Sequence, residues 1–409
     1  MDTQKINEVF GSTYLFQPPE EKLAPIKRVA LFAESFFPRF DGVSQHVYNT
    51  LCYLQQTGRE VLVFAPDDAP REVGPSKVVR LPSFGVRQYP GMRVGLPTPE
   101  ISRHLARFQP DLIHLFAPTS FSVAAIQFGR KKNIPVVADY ETDLPQYMAY
   151  YGASRFQGAM LRWLRFLHNR CDLTLVPSTP TLHQLERSSY RHLACWQNGV
   201  NEQRFNPSHY SPIWRKRLLN GRDPSSLLCI FVGRLASEKN IESLLEIARM
   251  PDVALTIIGD GPKRDYLETV FNGTQTYFTG SLFGDDLACA FASADVFVSP
   301  STTETFGLVT IEAMASGLPA IICKQGGGSG IVMDGTAGFV CDSPEGFCVA
   351  LRRLIDDPDL RLTMSILARQ EVLKYTWNRA MTQLEGHYMQ AACTASERKA
   401  IPNSTMRGA

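Results

Sequence analysis

The chain has 409 residues, enough for two or three domains with sizeable cores. Hydrophobic residues make up 44% and charged residues 20%, and a net charge of +2 sets up no whole-molecule field that would draw nucleic acid. No apolar run reaches the roughly 18 residues of a membrane span, no apolar block near the start makes a secretory leader, and nine cysteines without CxxC or metal spacing read as reduced thiols of a cytoplasmic protein, mostly small core residues.

In chain order, residues 1–25 carry little periodicity and read as a flexible leader. The first strand is predicted at 28–34, followed by a loop and a helix from Ser44, its expected N-cap, to about 56. Short apolar runs at 60–66, 111–115, 135–140 and 173–178 read as buried strands between helical segments. After a polar stretch at 206–212 the alternation restarts, with strands at 227–233, 253–259, 276–280, 294–298 and 320–323. Helices are expected at 346–356, 359–373 and 377–393, and a disordered tail at 394–409. Strands alternating with helices predict two doubly wound α/β domains, 26–210 and 211–376.

Several strand-end turns carry residues suited to chemistry, since ligands meet open α/β sheets at the carboxyl ends of the strands. Residues 299–312 form a strand-to-helix turn, Ser-Pro-Ser-Thr-Thr-Glu-Thr-Phe-Gly-Leu-Val-Thr-Ile-Glu, with Gly307 at the helix entrance. Free N–H groups and the positive end of a helix there suit phosphate or sugar oxygens. Glu304 in the loop and Glu312 in the helix can reach different parts of one ligand; the alternative is a capping carboxylate and an exposed helix Glu. After the 227–233 strand, Arg234 and Lys239 can reach one point, or form an exposed turn paired with Glu238. Gly259 and Gly261 allow close backbone approach to a ligand, or simply turn the chain. Gly42 precedes a helix, and Thr279 ends a strand.

These phrases, with Pro-Asp-Leu-Ile-His at 110–114 and Trp-Gln-Asn-Gly-Val at 196–200, resemble the retaining nucleotide-sugar glycosyltransferases of family 4. The wording is most similar to the lipid-directed members: sulfoquinovosyl-diacylglycerol synthases and GDP-mannose-dependent mannosyltransferases. The resemblance spans about 28–390. It implies the GT-B fold, two Rossmann-like domains facing across a cleft with the last helix crossing back to the N-terminal domain. It implies a hexose moved from a UDP- or GDP-sugar to a lipid or glycan hydroxyl, with retention. It assigns the diphosphate to Arg234 and Lys239, the sugar to Glu304 and the Thr305, Phe306, Gly307 and Leu308 backbone, and the ribose to Glu312. Gly42 would admit the donor phosphate, Gly259 and Gly261 would lie near the nucleotide, and Thr279 near the base. Two fixed cations would stabilise a departing diphosphate without a metal or other cofactor, so no metal-binding Asp-x-Asp is needed.

The sequence departs from the family at three places. Glu141 stands where relatives carry a His that contacts the sugar near C6. An unscreened carboxylate about 4 Å from an anionic C6 group costs roughly 4 kcal/mol at an effective dielectric near 20, so Glu141 predicts a neutral hexose hydroxyl there. A different donor, a shifted role shared with Asp143, or lost activity compete as explanations; the last would leave a binding or scaffold protein. Ser329 and Gly330 replace a Pro and an acid, predicting a looser turn, and Asn201 replaces an Asp. A helix at 154–170 sets Phe156, Met160, Trp163, Leu164 and Leu167 against Arg155, Arg162 and Arg165. It reads either as a core helix with solvated arginines or as a peripheral contact with the inner face of a membrane. His46, His114, His168 and His183 share no spacing, so no metal site is expected.

Overall fold

The computed structural model describes residues 14–17, 25–39, 41–86, 93–152 and 154–400. They form two α/β units. One runs through Gln197 and is rejoined by the chain from Ala380; the other comprises Asn198–Arg379. The join lies at 197/198 rather than near 210, because Val200 bridges Thr376 and donates its N–H to the Tyr375 carbonyl at 2.8 Å within the second unit.

The strands of the first unit are β1 (Arg28–Ala33), β2 (Glu60–Pro66), β3 (Glu72–Val73), β4 (Ser76–Leu81), β5 (Ser83–Gly85), β6 (Arg93–Gly95), β7 (Leu112–Phe116), β8 (Val136–Asp139), β9 (Leu173–Val176) and β10 (Leu193–Cys195). Eight form one sheet in the order β10-β9-β8-β7-β1-β2-β4-β3, parallel apart from the β3–β4 pair. From β1 the order runs outward in both directions, so the crevice between the carboxyl ends of β1 and β7 is the place where such a sheet receives a ligand. Helix α1 (Gly42–Gln56) starts there, earlier than the sequence suggests. Asp41, not Ser44, is the N-cap: its carboxylate accepts the Ser44 N–H at 2.8 Å, and Ser44 Oγ accepts the Asp41 N–H at 2.9 Å. The two make a reciprocal capping box.

Helix α2 (Gln157–His168) follows a 3-10 turn at Ser154–Phe156. The predicted apolar stripe is buried only in part. Leu164, Leu167 and His168 are buried, whereas Phe156 and Trp163 face solvent with Phe166.

In the second unit, β11 (Leu227–Val232), β12 (Val253–Ile258), β13 (Tyr277–Gly280), β14 (Val296–Ser299), β15 (Ala320–Cys323) and β16 (Gly338–Cys341) form a parallel sheet in the order β13-β12-β11-β14-β15-β16. Both faces are covered. Along β11, Leu227, Cys229 and Phe231 enter one hydrophobic cluster, while Leu228 and Ile230 enter the other. Alternation with period two, apolar on both sides, is why these strands read as continuous apolar runs. The switch in strand order falls between β11 and β14. Helix α3 (Leu308–Ala315) leaves the loop after β14.

Helix α4 (Trp377–Ala400) ends the described chain. From Ala380 it belongs to the first unit, as a returning helix requires. It continues through 394–400, predicted as disordered tail, where Arg398 Nη1 donates to Asp172 Oδ1 at 2.7 Å. Residues 401–409 and most of the predicted leader lie outside the described residues. Of that leader, 14–17 is tied to α1: Gln56 Nε2 donates to the Tyr14 carbonyl at 3.0 Å and Phe16 N–H to Gln56 Oε1 at 3.1 Å. A buried pair fixes α4 in the first unit. Arg59 reaches both Glu385 oxygens, at 2.8 and 2.7 Å, and Tyr53 Oη donates to one of them at 2.8 Å.

Candidate active site

Most of the sequence-predicted donor residues gather at the carboxyl edge of the second unit's sheet, in loops laced together through their backbones. Gly233 N–H donates to the Ile258 carbonyl at 3.0 Å, Leu235 N–H to Asp260 at 3.0 Å, and Gly259 N–H to Gly280 at 2.9 Å. Thr279 ends β13 beside this ladder. Lys239 closes a 3-10 turn after β11, and its Nζ donates to Glu304 Oε1 at 2.5 Å, joining the loops on the two sides of the switch point. Arg234 is half-buried at the head of the same loop. Glu238 is 1% exposed, so the turn is not solvated at that residue. The Lys239 ammonium meets an acid 65 positions away.

Glu312 is 5% exposed, on the buried face of α3, which removes the reading of an exposed helix carboxylate. Gly307, at φ +98, is the N-cap of α3 and supplies no side-chain cap. The positive φ is the reason for glycine, and the backbone of 305–308 is left as the polar surface of the helix entrance.

Gly259 and Gly261 are required by the packing of the chain itself. A Cβ on Gly259, at φ +140, would lie 1.9 Å from the Gly233 carbonyl oxygen, and one on Gly261 would lie 2.4 Å from that of Leu235. The close approach is to the chain's own neighbouring loop. The 326–330 segment is likewise not loose. Gly327–Gly330 is a 3-10 turn, Gly327 N–H donates to the Glu304 carbonyl at 2.7 Å, and a Cβ on Gly327 would meet Thr305 and Glu304 backbone atoms within 2.6 Å. Glycine is needed there so that the turn can buttress the Glu304 loop.

The first unit holds Gly42 and Glu141. Gly42 is the exposed first residue of α1. Glu141, just past β8, is turned inward with 8% of its side chain exposed, and its Oε1 hydrogen-bonds Nδ1 of His46, itself 2% exposed on α1. The premise of an unscreened carboxylate at this position therefore fails. Beside the pair, His114 Nε2 bonds Asp139 Oδ1 and His114 Nδ1 bonds the Tyr388 hydroxyl, both at 2.9 Å.

Two histidines with no relation in sequence thus share one cluster, with their basicities shifted in opposite directions. Burial acts against an imidazolium at His46, but the Glu141 carboxylate outweighs it and raises the pKa. Burial, aided by the charge on His46, drives His114 down to about 3. Burial and the Glu141 charge push Asp139 well above the usual carboxylate range. His46, Asp139 and Glu141 offer atoms within 4.8 Å of one another, and of these His46 and Glu141 are hydrogen-bonded to each other. Sequence reasoning set His46 and His114 aside for want of a shared spacing and gave Asp139 no role. A histidine inside the apolar run 112–116 and an acid ending the run 136–139 were the available signals.

Comparison with known proteins decides the family. The model described as Glycosyl transferases group 1 matches residues 213–371, and that described as Glycosyltransferase Family 4 matches 40–204. A sulfoquinovosyl transferase of Arabidopsis thaliana is 36% identical over 384 residues, covering 91% of this chain and 75% of that protein. The chain belongs to the group 1, family 4 glycosyltransferases. A GDP-mannose-dependent alpha-mannosyltransferase of Mycobacterium tuberculosis is 36% identical over 370 residues, 88% of this chain and 96% of the relative. An alpha-monoglucosyldiacylglycerol synthase of Acholeplasma laidlawii is 26% identical over 361 residues, 83% and 90% of the two chains. Among solved structures, sucrose-phosphate synthase from Thermosynechococcus elongatus superposes with a TM-score of 0.73 at 21% identity, covering 89% of this chain and 98% of that one. The fold of this glycosyltransferase is therefore GT-B, and the chain is an enzyme of the glycosyl-transfer class.

Proposed function

We propose that this glycosyltransferase moves a neutral hexose from a UDP- or GDP-linked donor to a hydroxyl of a diacylglycerol-type lipid or glycolipid, with retention and without a metal or other cofactor. The observation that carries the reading is the meeting of Lys239 and Glu304 across the β11–β14 switch point, with Arg234 at the head of the loop that holds Lys239. Arg234 and Lys239 hold the diphosphate, Glu304 and the 305–308 backbone the sugar, and Glu312 the ribose. Gly42 admits the donor phosphate, and Thr279 lies by the base. The C1–O bond to the diphosphate breaks, the acceptor oxygen bonds C1 on the same face, and the acceptor proton passes to a departing phosphate oxygen. Lipid acceptors follow from the names of the relatives. Calorimetry with UDP and GDP, then a donor screen against lipid extracts with product masses measured, tests it. One nucleotide is expected to bind and one hexose to be added. Binding of neither would favour the degenerate scaffold.

A peripheral membrane contact through 154–170 belongs to the same reading. Trp163 and Phe166 are 40% and 43% exposed, their rings stack at 5.6 Å, and the Arg170 guanidinium lies 3.5 Å above the Phe166 ring. Aromatic rings beside arginines suit an anionic bilayer surface. No described helix is long and apolar enough to cross a membrane. Sedimentation with phosphatidylglycerol vesicles should carry the protein down, and Trp163→Ala/Phe166→Ala should abolish this; equal recovery with pure phosphatidylcholine would discard the contact.

A further inference from the structure

In the second unit, the register of β15 and β16 sets Cys323 opposite Cys341, the last residue of each strand. The other strand cysteines, Cys195 and Cys229, face Val176, Leu255 and Val296. Cys323 and Cys341 enter one hydrophobic cluster with Ile321 and Phe339, while Ala320 and Ile322 enter the other, so both thiols stand on one face of the sheet. Neighbouring strands lie ~4.8 Å apart, inside the Cα window of about 4.4–6.8 Å that a disulfide spans. Neither thiol is sealed off. Cys323 and Cys341 are 9% and 7% exposed, and Cys323 Sγ donates to Oε1 of the exposed Gln325 at 3.9 Å. A Cβ on Gly346 would lie 3.6 Å from Cys341 Sγ, so the glycine leaves that sulfur room to turn.

The end of β15 is also tied to the Glu304 loop, within the same unit. The Cys323 carbonyl accepts the Gly326 N–H at 3.1 Å, and the Gly327 N–H reaches the Glu304 carbonyl at 2.7 Å. A Cβ on Gly326 would lie 2.6 Å from the Ser301 carbonyl oxygen, so the turn has no slack against that loop. Side by side on one face, the two Cβ atoms are separated by about the strand spacing, ~4.8 Å, whereas a disulfide holds them at ~3.8 Å. Closing the bond draws the strand ends together by about 1 Å, and the turn that hangs on Cys323 moves with them.

We propose that Cys323 and Cys341 are a redox modification site, at which a low-molecular-weight disulfide links the ends of β15 and β16 and shifts the 326–330 turn from its seat against the Glu304 loop. One cysteine thiolate attacks a sulfur of the oxidant, whose S–S bond breaks and releases one thiol. The second thiolate attacks the resulting mixed disulfide and releases the other. Two electrons and two protons pass from the pair to the oxidant. Burial, with the charges of Asp334, Cys323 and Asp342, pushes the Cys341 thiol up to about 11, which suits it to the second step, where proximity replaces reactivity. The bond does not depend on the transfer reading above; its effect on turnover rests on that reading.

The experiment treats the reduced full chain with oxidised glutathione, then with dithiothreitol, alongside Cys323→Ser, Cys341→Ser and Cys323→Ala/Cys341→Ala. Lys324 separates the two cysteines in a tryptic digest, and the exposed Cys393 reports that the oxidant has acted. The linked peptides are expected in the wild type and in none of the variants. Hydrogen exchange at Gly326 and Gly327 should quicken on oxidation and return with dithiothreitol. Turnover should fall roughly 10–100-fold, the scale of an ~1 Å misplacement of site groups, while the variants keep their activity in oxidant. Two thiols still free once Cys393 has reacted, or each carrying its own glutathione, would overturn the proposal. So would a linked pair with exchange at 326–327 unchanged. Calorimetry with UDP and GDP on the reduced protein separates the two levels: if neither binds, the transfer reading falls, while the linked peptides and the exchange change still establish the modification site.

Discussion

Lys239→Ala is expected to lower kcat by about 10²–10³-fold, the scale on which a fixed group that stabilises developing negative charge contributes. As the bond from the sugar to the diphosphate breaks, charge accumulates on the leaving group. The ammonium therefore meets more charge in the transition state than in the bound donor, and kcat should fall further than KM rises. Folding should hardly change. The Lys239–Glu304 pair is partly exposed, at 14% and 32% of its two side chains, and such pairs contribute about 0–1 kcal/mol. Arg234→Ala should behave alike. The pairing with Glu304 raises a competing explanation, that Lys239 only holds the acid in place. Glu304→Gln decides between them. If the ammonium serves the diphosphate, Lys239→Ala weakens UDP or GDP binding, while Glu304→Gln leaves it unchanged or tightens it by removing a competitor for the cation. If Lys239 merely positions Glu304, both variants lose the same activity and neither changes nucleotide affinity. Near-normal turnover in both Lys239→Ala and Arg234→Ala would reject the assignment to the diphosphate.

The Lys239–Glu304 site was legible because its parts sit on strong local signals. Fully buried parallel strands give long apolar runs, and the residues immediately after such runs lie at the ligand-binding edge whatever the rest of the fold does. β11, β12 and β14 were found for that reason. β10 and β16 escaped. Leu193–Cys195 is only half-buried, and Gly338–Cys341 sets just Phe339 and Val340 between a glycine and a cysteine, so neither stands out from loop. The His46–Glu141 contact links residues 95 positions apart, and no periodicity encodes it. The glycines at 259, 261 and 327 were visible as points of close approach, but sequence does not say what approaches. Here it is neighbouring backbone. The amphipathic reading of 154–170 holds only in part: Leu164 and Leu167 are buried, whereas Phe156 and Trp163, seven residues apart at one edge of the counted face, are exposed.

Glu385→Ala should have the largest effect on stability. Arg59 and Glu385 are 7% and 3% exposed, and the guanidinium is satisfied throughout: Nε donates to the Ile26 carbonyl at 3.0 Å, Nη1 to Thr57 Oγ1 at 2.9 Å, and Nη1 and Nη2 to Glu385. Removing the acid strands a buried cation and takes the partner from the Tyr53 hydroxyl, a loss of about 3–5 kcal/mol for a broken buried pair. For a unit of roughly 200 residues that is a fall in Tm of about 6–20 °C. Two pieces of chain feel it, because the pair joins the turn between α1 and β2 to α4 within the first unit. Glu385→Gln keeps shape and part of the hydrogen bonding and should lose less. The informative variant is Arg59→Met/Glu385→Leu, which removes both charges. If the cost of the single change is the uncompensated guanidinium, the double variant recovers most of the lost Tm, since apolar replacements of a whole buried pair are often neutral or stabilising. If the double variant melts as low as Glu385→Ala, the pair itself, with its geometry and its bond to Tyr53, is what holds α4 in place. Scanning calorimetry of the three proteins distinguishes the two, and hydrogen exchange along α4 would show whether the returning helix is the part that opens first.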